Sequence, residues 1–152
     1  GSNLARASPA IDPETFNSPQ WRRAELPAGN GHGSASSLSR FYATLANGGE
    51  IDGKRFLSRE TLARATEVQH AIHECVMDRT YQQALGFLRS SPPIVPMGPL
   101  PTSFGHQGAG GALGFADPVN GLGFGYLMNK MHNRRENGPR AGRLIEAAYR
   151  CL

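Results

Sequence analysis

The chain has 152 residues, a formal net charge of +4 and a hydrophobic fraction of 39%, and it contains 19 glycines and 11 prolines. A chain of this length forms one domain and buries roughly two-thirds of the surface that its unfolded form exposes. Charged residues make up 18% of the chain, and several stretches show apolar periodicity, which together exclude a disordered protein. No window of about eighteen apolar residues indicates a membrane span.

The basic residues are almost all arginines, because only Lys54 and Lys130 are lysines. They are interspersed with acidic residues along most of the chain, and no aromatic interleaving or recognised motif accompanies them, so nucleic acid is not the expected partner. The two cysteines, Cys75 and Cys151, are too few for a disulfide framework and lack the spacing of a zinc site. We therefore expect neither a metal nor a cofactor.

Residues 1–33 are expected to form an extended lead-in. Residues 1–2 (Gly-Ser) are typical of the pair that remains when a protease removes a tag, so the natural N-terminus is expected to be missing; no signal peptide follows. Residues 3–33 contain several prolines and no sustained period. The glycine-rich segment 29–34 precedes a helix and offers N–H groups to an anion. Without a preceding strand or a P-loop lysine, a turn with a helix cap is the more typical interpretation.

Two helices are predicted in the next part of the chain. From Ser34 or Ser36, apolar residues recur at helical spacing as far as Ala46, and 47–49 (Asn-Gly-Gly) supplies the stop signal. Ser58 is the predicted N-cap of a shorter helix, with one face formed by Leu62, Ala65 and Val68.

Strand signals dominate the second half of the chain. Residues 84–88 favour a strand, and 90–101, with five prolines, predicts a long surface loop. A glycine-rich run, 105–111, leads into an antiparallel hairpin with strands at 112–117 and 122–129. The glycines inside both strands indicate close approach of another backbone or a packed helix.

The chain ends in a predicted amphipathic helix. Pro139 stands at its first position, and its apolar face comprises Ala141, Leu144, Ile145, Ala148 and Tyr149. The predicted fold class is therefore α+β, with a partial antiparallel sheet and flanking helices.

A complete catalytic set is absent from the sequence. There is no Gly-x-Ser-x-Gly elbow, His-Glu-x-x-His motif or P-loop, and no serine is followed three residues later by lysine. His70 and His73 have the spacing of metal ligands on one helical face, but no third ligand is placed, so solvated surface histidines are the alternative. The run 108–114 matches a dinucleotide fingerprint only loosely, because no long strand precedes it and no helix follows.

Three blocks carry a family resemblance. The segment 30–33 (Asn-Gly-His-Gly) with the helix after it, the run 105–111 and the hairpin up to Asn129 together resemble the C-terminal part of the serine β-lactamase-like, or penicillin-binding-protein-like, superfamily. The branch they resemble most is that of the class C type esterases and related hydrolases. The resemblance covers the chain from about Asn17 onward and rests on the order and spacing of the blocks.

The resemblance implies a site at His106. Members of this superfamily place three motifs, SxxK, YxN and KTG or HxG, in a cleft between a helical and an α/β subdomain. His106-Gln107-Gly108 resembles the third motif. It implies that His106 points into the cleft, that Gly108 permits close backbone approach, and that Ala109 presents its N–H as half of an oxyanion hole.

The first two motifs have no counterpart in this chain. The resemblance therefore implies that 34–152 is the C-terminal α/β portion of a β-lactamase/transpeptidase-like fold, whose nucleophile lies in a missing N-terminal portion. We expect a serine hydrolase when that portion is present, an esterase rather than a lactamase, and no turnover by this chain alone. The expected partners are a small ester or amide substrate, the N-terminal portion of the same protein and a second copy in a homodimer.

The residues support this site independently of the family. Glycines around a polar residue leave backbone N–H groups accessible, and oxyanion stabilisation needs preorganised donors. The alternative for His106 is a histidine at a loop–strand boundary that is bonded to backbone. The alternative function is a catalytically silent binding or protein-interaction module that uses the run 105–111 or the arginine-rich C-terminal helix.

Overall fold

A four-stranded antiparallel sheet with helices on both faces forms the centre of the computed structural model, which describes residues 12–132 and 137–152. The helices are α1 (Pro13–Asn17), α2 (Pro19–Arg23), α3 (Ala35–Ala46), α4 (Arg59–Thr66) and α5 (Gly138–Tyr149). The strands are β1 (Glu50–Ile51), β2 (Lys54–Arg55), β3 (His73–Glu74), β4 (Arg79–Thr80), β5 (Leu88–Arg89), β6 (Phe104–Gln107), β7 (Leu113–Asp117) and β8 (Leu122–Tyr126). The central sheet has the order β5-β6-β7-β8, whereas β1-β2 and β3-β4 are small separate pairs.

Helices α3 and α4 begin where their serine caps predict. The Ser34 hydroxyl accepts the N–H of Ser37 at 3.1 Å, and the Ser37 hydroxyl accepts the N–H of Ser34 at 3.0 Å, which completes a capping box. The Ser58 hydroxyl accepts the N–H of Thr61 at 3.0 Å in the same way. Both predicted helices are thus confirmed, although Val68 lies beyond the end of α4 and is exposed.

Helix α3 lies directly against the glycines of the β7–β8 hairpin. A Cβ atom on Gly123 would lie 2.0 Å from the Ala43 nitrogen, and one on Gly125 would lie 2.6 Å from the Ala35 carbonyl oxygen. A Cβ on Gly114 would lie 2.1 Å from the Tyr42 ring. The predicted hairpin and the predicted close approach to its glycines are both confirmed.

The opposite face of the sheet packs against α5 and the proline-rich segment 90–101. This core contains buried side chains from β7, from α5 and from the segment itself: Leu113, Phe115, Ala141, Ile145, Val95 and Met97. A second core lies between the sheet and helices α3 and α4: Tyr42, Leu45, Ala46, Leu62, Phe104 and Ala116. The sheet is therefore covered on both faces, which agrees with the predicted α+β class.

Two expectations for 84–101 are wrong. The strand is only Leu88–Arg89, because Gly86 adopts a positive φ of 82° and turns the chain. Segment 90–101 lacks regular structure but is not a surface loop, since Val95 and Met97 are 0% exposed. Prolines prevent helices and strands, but they do not prevent apolar neighbours from being buried.

The expectation of an extended lead-in is also wrong for 13–23, which forms α1 and α2. Asp12 and Ser18 cap these helices, and Pro13 and Pro19 occupy first-turn positions, where a missing N–H costs nothing. Residues 1–2 lie outside the described residues, and the boundary at 33/34 stays a prediction. Among the described residues, no helix combines the length and apolarity needed to cross a membrane.

One helix face and one strand end also differ from the sequence expectations. Leu144 was expected on the buried face of α5 but is 50% exposed, and the buried residues of this helix are Ala141 and Ile145. Strand β8 ends at Tyr126 rather than Asn129. Its partner β7 begins at Leu113, opposite Tyr126. The residues just before Leu113 belong to a tight turn, so the pairing of the two strands ends there.

Asp117 joins the hairpin turn to α5. Its buried carboxylate accepts the N–H groups of Val119 (3.0 Å) and Asn120 (3.3 Å), the Asn120 side-chain amide (2.8 Å) and the Tyr149 hydroxyl (2.6 Å). Burial by itself raises the pKa of this carboxyl, but the hydrogen bonds outweigh burial and hold the pKa below its usual value. Burial and the bond to Asp117 raise the pKa of Tyr149.

We predict that Gly123→Ala destabilises the chain by about 1–3 kcal/mol or more, because the new methyl group collides with the α3 backbone. The matched control is Gly142→Ala in α5, where a Cβ meets nothing within 4 Å. That change should instead stabilise by about 0.5–1 kcal/mol. Urea unfolding of the two variants and the parent measures whether each substitution lowers or raises the free energy of unfolding. Equal stability of all three proteins would contradict the packing of α3 on β8.

We predict that Tyr149→Phe lowers the free energy of unfolding at pH 7 by about 1.5 kcal/mol, since a hydrogen bond to a buried carboxylate is lost. A carboxyl with a depressed folded-state pKa stabilises the fold above its unfolded pKa, and this contribution disappears as the pH falls through the folded-state pKa. The difference between variant and parent should therefore shrink below about pH 4. Urea unfolding at pH 7 and pH 3 measures it, with Tyr126→Phe at the other end of the hairpin as control.

Candidate active site

The residues of the HxG-like motif lie where β6 ends. His106 pairs with Gly114 of β7, which in turn pairs with Gly125 of β8. Residues that are directly opposite in a sheet share a face, so the His106 side chain lies on the face that α3 covers. The beginning of α3 and the end of β8 meet at the same end of the sheet. His106 therefore stands at an end of the sheet where three elements converge.

The His106 ring is exposed and has a defined orientation. Its Nδ1 atom lies 2.7 Å from the carbonyl oxygen of Gln107. Because a carbonyl oxygen can only accept, Nδ1 carries a proton and Nε2 is the nitrogen left for a ligand. A backbone bond of this kind was also expected of a histidine with a purely structural role, so the geometry alone does not assign His106 to catalysis.

Tyr42 packs against the sheet beside His106. Its hydroxyl lies near the backbone of His106, and its ring packs over Gly114. Burial raises the pKa of Tyr42 to about 12, although the His106 backbone lowers it slightly. Tyr42 is therefore protonated at neutral pH and serves as a structural support rather than a base. The sequence placed Tyr42 only on an apolar helix face. The glycine at position 114 was the signal that a bulky group packs there, and the structure shows that this group is the Tyr42 ring.

A tight glycine turn follows the motif. The Gly108 N–H donates to the Ala112 carbonyl at 2.7 Å, and the Gly111 N–H donates to the Gly108 carbonyl at 3.2 Å. Gly110 and Gly111 have positive φ angles of 81° and 107°, which side chains rarely tolerate. Gly108 and Ala109 are exposed, so the start of the turn is open to a ligand.

Gln107 does not lie beside the His106 ring. Successive residues of a strand point to opposite faces, and Gln107 pairs with Leu113 on the α5 side. Its Oε1 atom is buried and has no hydrogen-bond partner among the described residues. Of the four residues of the expected site, His106, Gly108 and Ala109 are exposed together, whereas the Gln107 side chain is directed away.

The other candidate sites are weaker. Residues 29–34 form a turn and the Ser34 cap, and they border an open groove of about 470 Å3. The groove is lined by Gly31, His32, Gly33, Ser34, Ser37, Leu38, Phe41 and Leu127. His70 and His73 do not share a helix, because His73 lies in β3 and its Nε2 contacts Asp78 at 3.0 Å. Within 12–132 and 137–152, no three metal-ligating side chains are grouped around one point.

Comparisons with known proteins agree on one family. Residues 2–149 match the family model described as beta-lactamase. The chain is 40% identical over 108 residues to the esterase/beta-lactamase LipL of Mycobacterium tuberculosis, a match that covers 71% of this chain and 24% of LipL.

Solved structures give the same result. A family VIII carboxylesterase superposes with a TM-score of 0.85 at 38% identity, covering 97% of this chain and 40% of that chain. A penicillin-binding protein homologue from Caulobacter crescentus superposes with a TM-score of 0.83 at 36% identity, covering 94% of this chain and 41% of the homologue. The chain thus spans well under half the length of these relatives. From the family match and these structural likenesses together, we conclude that the chain belongs to the beta-lactamase family and has the α+β fold of its penicillin-binding-protein-like members.

Proposed function

We propose that this chain forms one wall of the active site of a serine hydrolase that cleaves small esters. The observation that carries the proposal is the joint exposure of His106 and of the turn at Gly108 and Ala109, at one end of the sheet. The similarity to a family VIII carboxylesterase supports ester over amide substrates.

The proposed reaction is acyl transfer in two steps. A serine hydroxyl attacks the carbonyl carbon of the ester, its proton passes to a base, and the alcohol leaves with a proton, which yields an acyl-serine ester. Water then attacks this ester and releases the acid and the free serine. Negative charge develops on the carbonyl oxygen in both steps, and preorganised N–H donors stabilise it.

Three residues of this chain have direct roles in that scheme. The N–H of Ala109 is one donor to the developing oxyanion, and Gly108 before it leaves room for the substrate because it has no side chain. The exposed Nε2 of His106 faces the substrate or the tyrosine hydroxyl that assists proton transfer. Gln107 contributes through its backbone only, since its side chain lies on the other face of the sheet.

The nucleophile and its base come from outside this chain. No serine here is followed three residues later by lysine, and the chain covers 24% of LipL and 40% of the family VIII carboxylesterase. Among the described strands, β8 pairs only with β7, and its free edge is a surface onto which further chain can pair. We therefore infer that the N-terminal portion of the same protein completes the site, and that without it the free edge favours a homodimer.

Labelling with a fluorophosphonate probe tests this proposal. The probe reacts with activated serines, so it should label the longest natural protein that contains this sequence and should not label the 152-residue chain. Heat-denatured samples control for nonspecific reaction. Labelling of the short chain would contradict the external nucleophile, and labelling of neither protein would favour a catalytically silent binding module.

We predict that His106→Ala in the longer protein lowers kcat for p-nitrophenyl acetate by at least about tenfold, because the variant loses the group that faces the substrate or the tyrosine that assists proton transfer, a step in which a positioned side chain contributes on the order of 100-fold or more. The melting temperature should change little because the ring is exposed. His70→Ala, which removes an exposed histidine far from β6 in sequence, is the matched control and should retain full activity. An unchanged kcat for His106→Ala would remove His106 from the site.

A further inference from the structure

We propose that His132 is a positioning residue that holds the glycine turn 108–111 in the shape needed for oxyanion binding. This inference rests on the proposed function, because it concerns the same turn. His132 follows the last strand of the sheet, and nothing in its sequence neighbourhood indicates a role at a turn more than twenty residues earlier.

His132 contacts the turn with its backbone and with its ring. Its N–H donates to the Gly110 carbonyl at 3.1 Å. Its ring lies against Gly111, where an added Cβ would be 2.3 Å from Nε2. The ring therefore occupies the space that a side chain at position 111 would need, and the two contacts together fix Gly110 and Gly111 from behind.

Asn137 connects His132 to the core. The Asn137 carbonyl oxygen lies 3.1 Å from His132 Nε2, and since a carbonyl only accepts, Nε2–H is the donor. The Asn137 side-chain amide donates to the Pro96 carbonyl at 3.0 Å. Pro96 lies between Val95 and Met97, which are both fully buried. Hydrogen bonds of Asn137 and His132 thus connect a buried part of the core to the glycine turn.

The turn needs such a support because of its composition. Glycine loses more backbone freedom on folding than any other residue, and three of the four residues at 108–111 are glycines. Oxyanion donors lower a reaction barrier only when they are already oriented before the charge develops. A support outside the turn supplies the order that the turn residues themselves lack, and His132 is the side chain that packs directly on Gly111.

The test compares His132→Ala, His132→Gln and the matched control His73→Gln in the longer protein. The readouts are kcat and KM for p-nitrophenyl acetate, the inhibition constant of phenylboronic acid, and the melting temperature. Boronic acids form a tetrahedral adduct with the serine and so report on the oxyanion donors directly. Glutamine keeps an N–H donor near the position of Nε2, so it can still bond the Asn137 carbonyl.

We expect His132→Ala to lower kcat by at least about tenfold and to raise the inhibition constant of phenylboronic acid by a similar factor, whereas KM should stay within about twofold of the parent value. His132→Gln should recover most of both losses, and His73→Gln should match the parent. If kcat of His132→Ala stays within twofold of the parent while the parent is active, this inference alone fails. It also fails if kcat and the melting temperature of His132→Ala fall while KM rises, and glutamine restores none of them. A parent that neither hydrolyses the ester nor binds the boronic acid overturns the proposed function and this inference with it.

Discussion

The direct contact between the α3 backbone and the glycines of the β7–β8 hairpin determines most of this structure. Gly123 and Gly125 present no side chains to α3, so helix and sheet approach more closely than any larger residue would allow. This approach brings the beginning of α3 to the end of the sheet where β6 terminates. It also lets Tyr42 pack over Gly114 and reach the His106 backbone. The orientation of the candidate site is therefore a consequence of how the helix packs.

The candidate site is supported from both faces of the sheet. On one face, the Tyr42 ring packs over Gly114, which pairs with His106, and burial raises the pKa of the Tyr42 hydroxyl. On the other face, His132 and Asn137 connect the glycine turn to the buried segment around Pro96. These supports fit a catalytic wall better than a flexible binding loop, because a preorganised donor stabilises a developing charge without first having to be ordered. In the proposed function, another part of the protein supplies the nucleophile.

Local signals predicted much of the fold. Ser34 and Ser58 marked helix starts through their capping hydroxyls, and the glycine pattern of the hairpin indicated a packed helix before any contact was known. The errors arose where tertiary packing, and not local sequence, determines whether a segment is buried. Segment 90–101 is irregular because of its prolines but buried because of Val95 and Met97. The supporting roles of Tyr42 and His132 were not predictable, since their partners lie far away in sequence and one of them, Gly111, has no side chain to signal a contact.

A crystal structure of the longer protein with a phosphonate bound to its reactive serine would test directly whether this strand end belongs to the active site. We predict that one phosphoryl oxygen lies about 3 Å from the Ala109 nitrogen, with the His106 ring on the same side of the adduct and His132 in contact with the turn 108–111. An adduct whose oxygen points away from Ala109, with His106 outside the cleft, would contradict the assignment of this strand end to the active site.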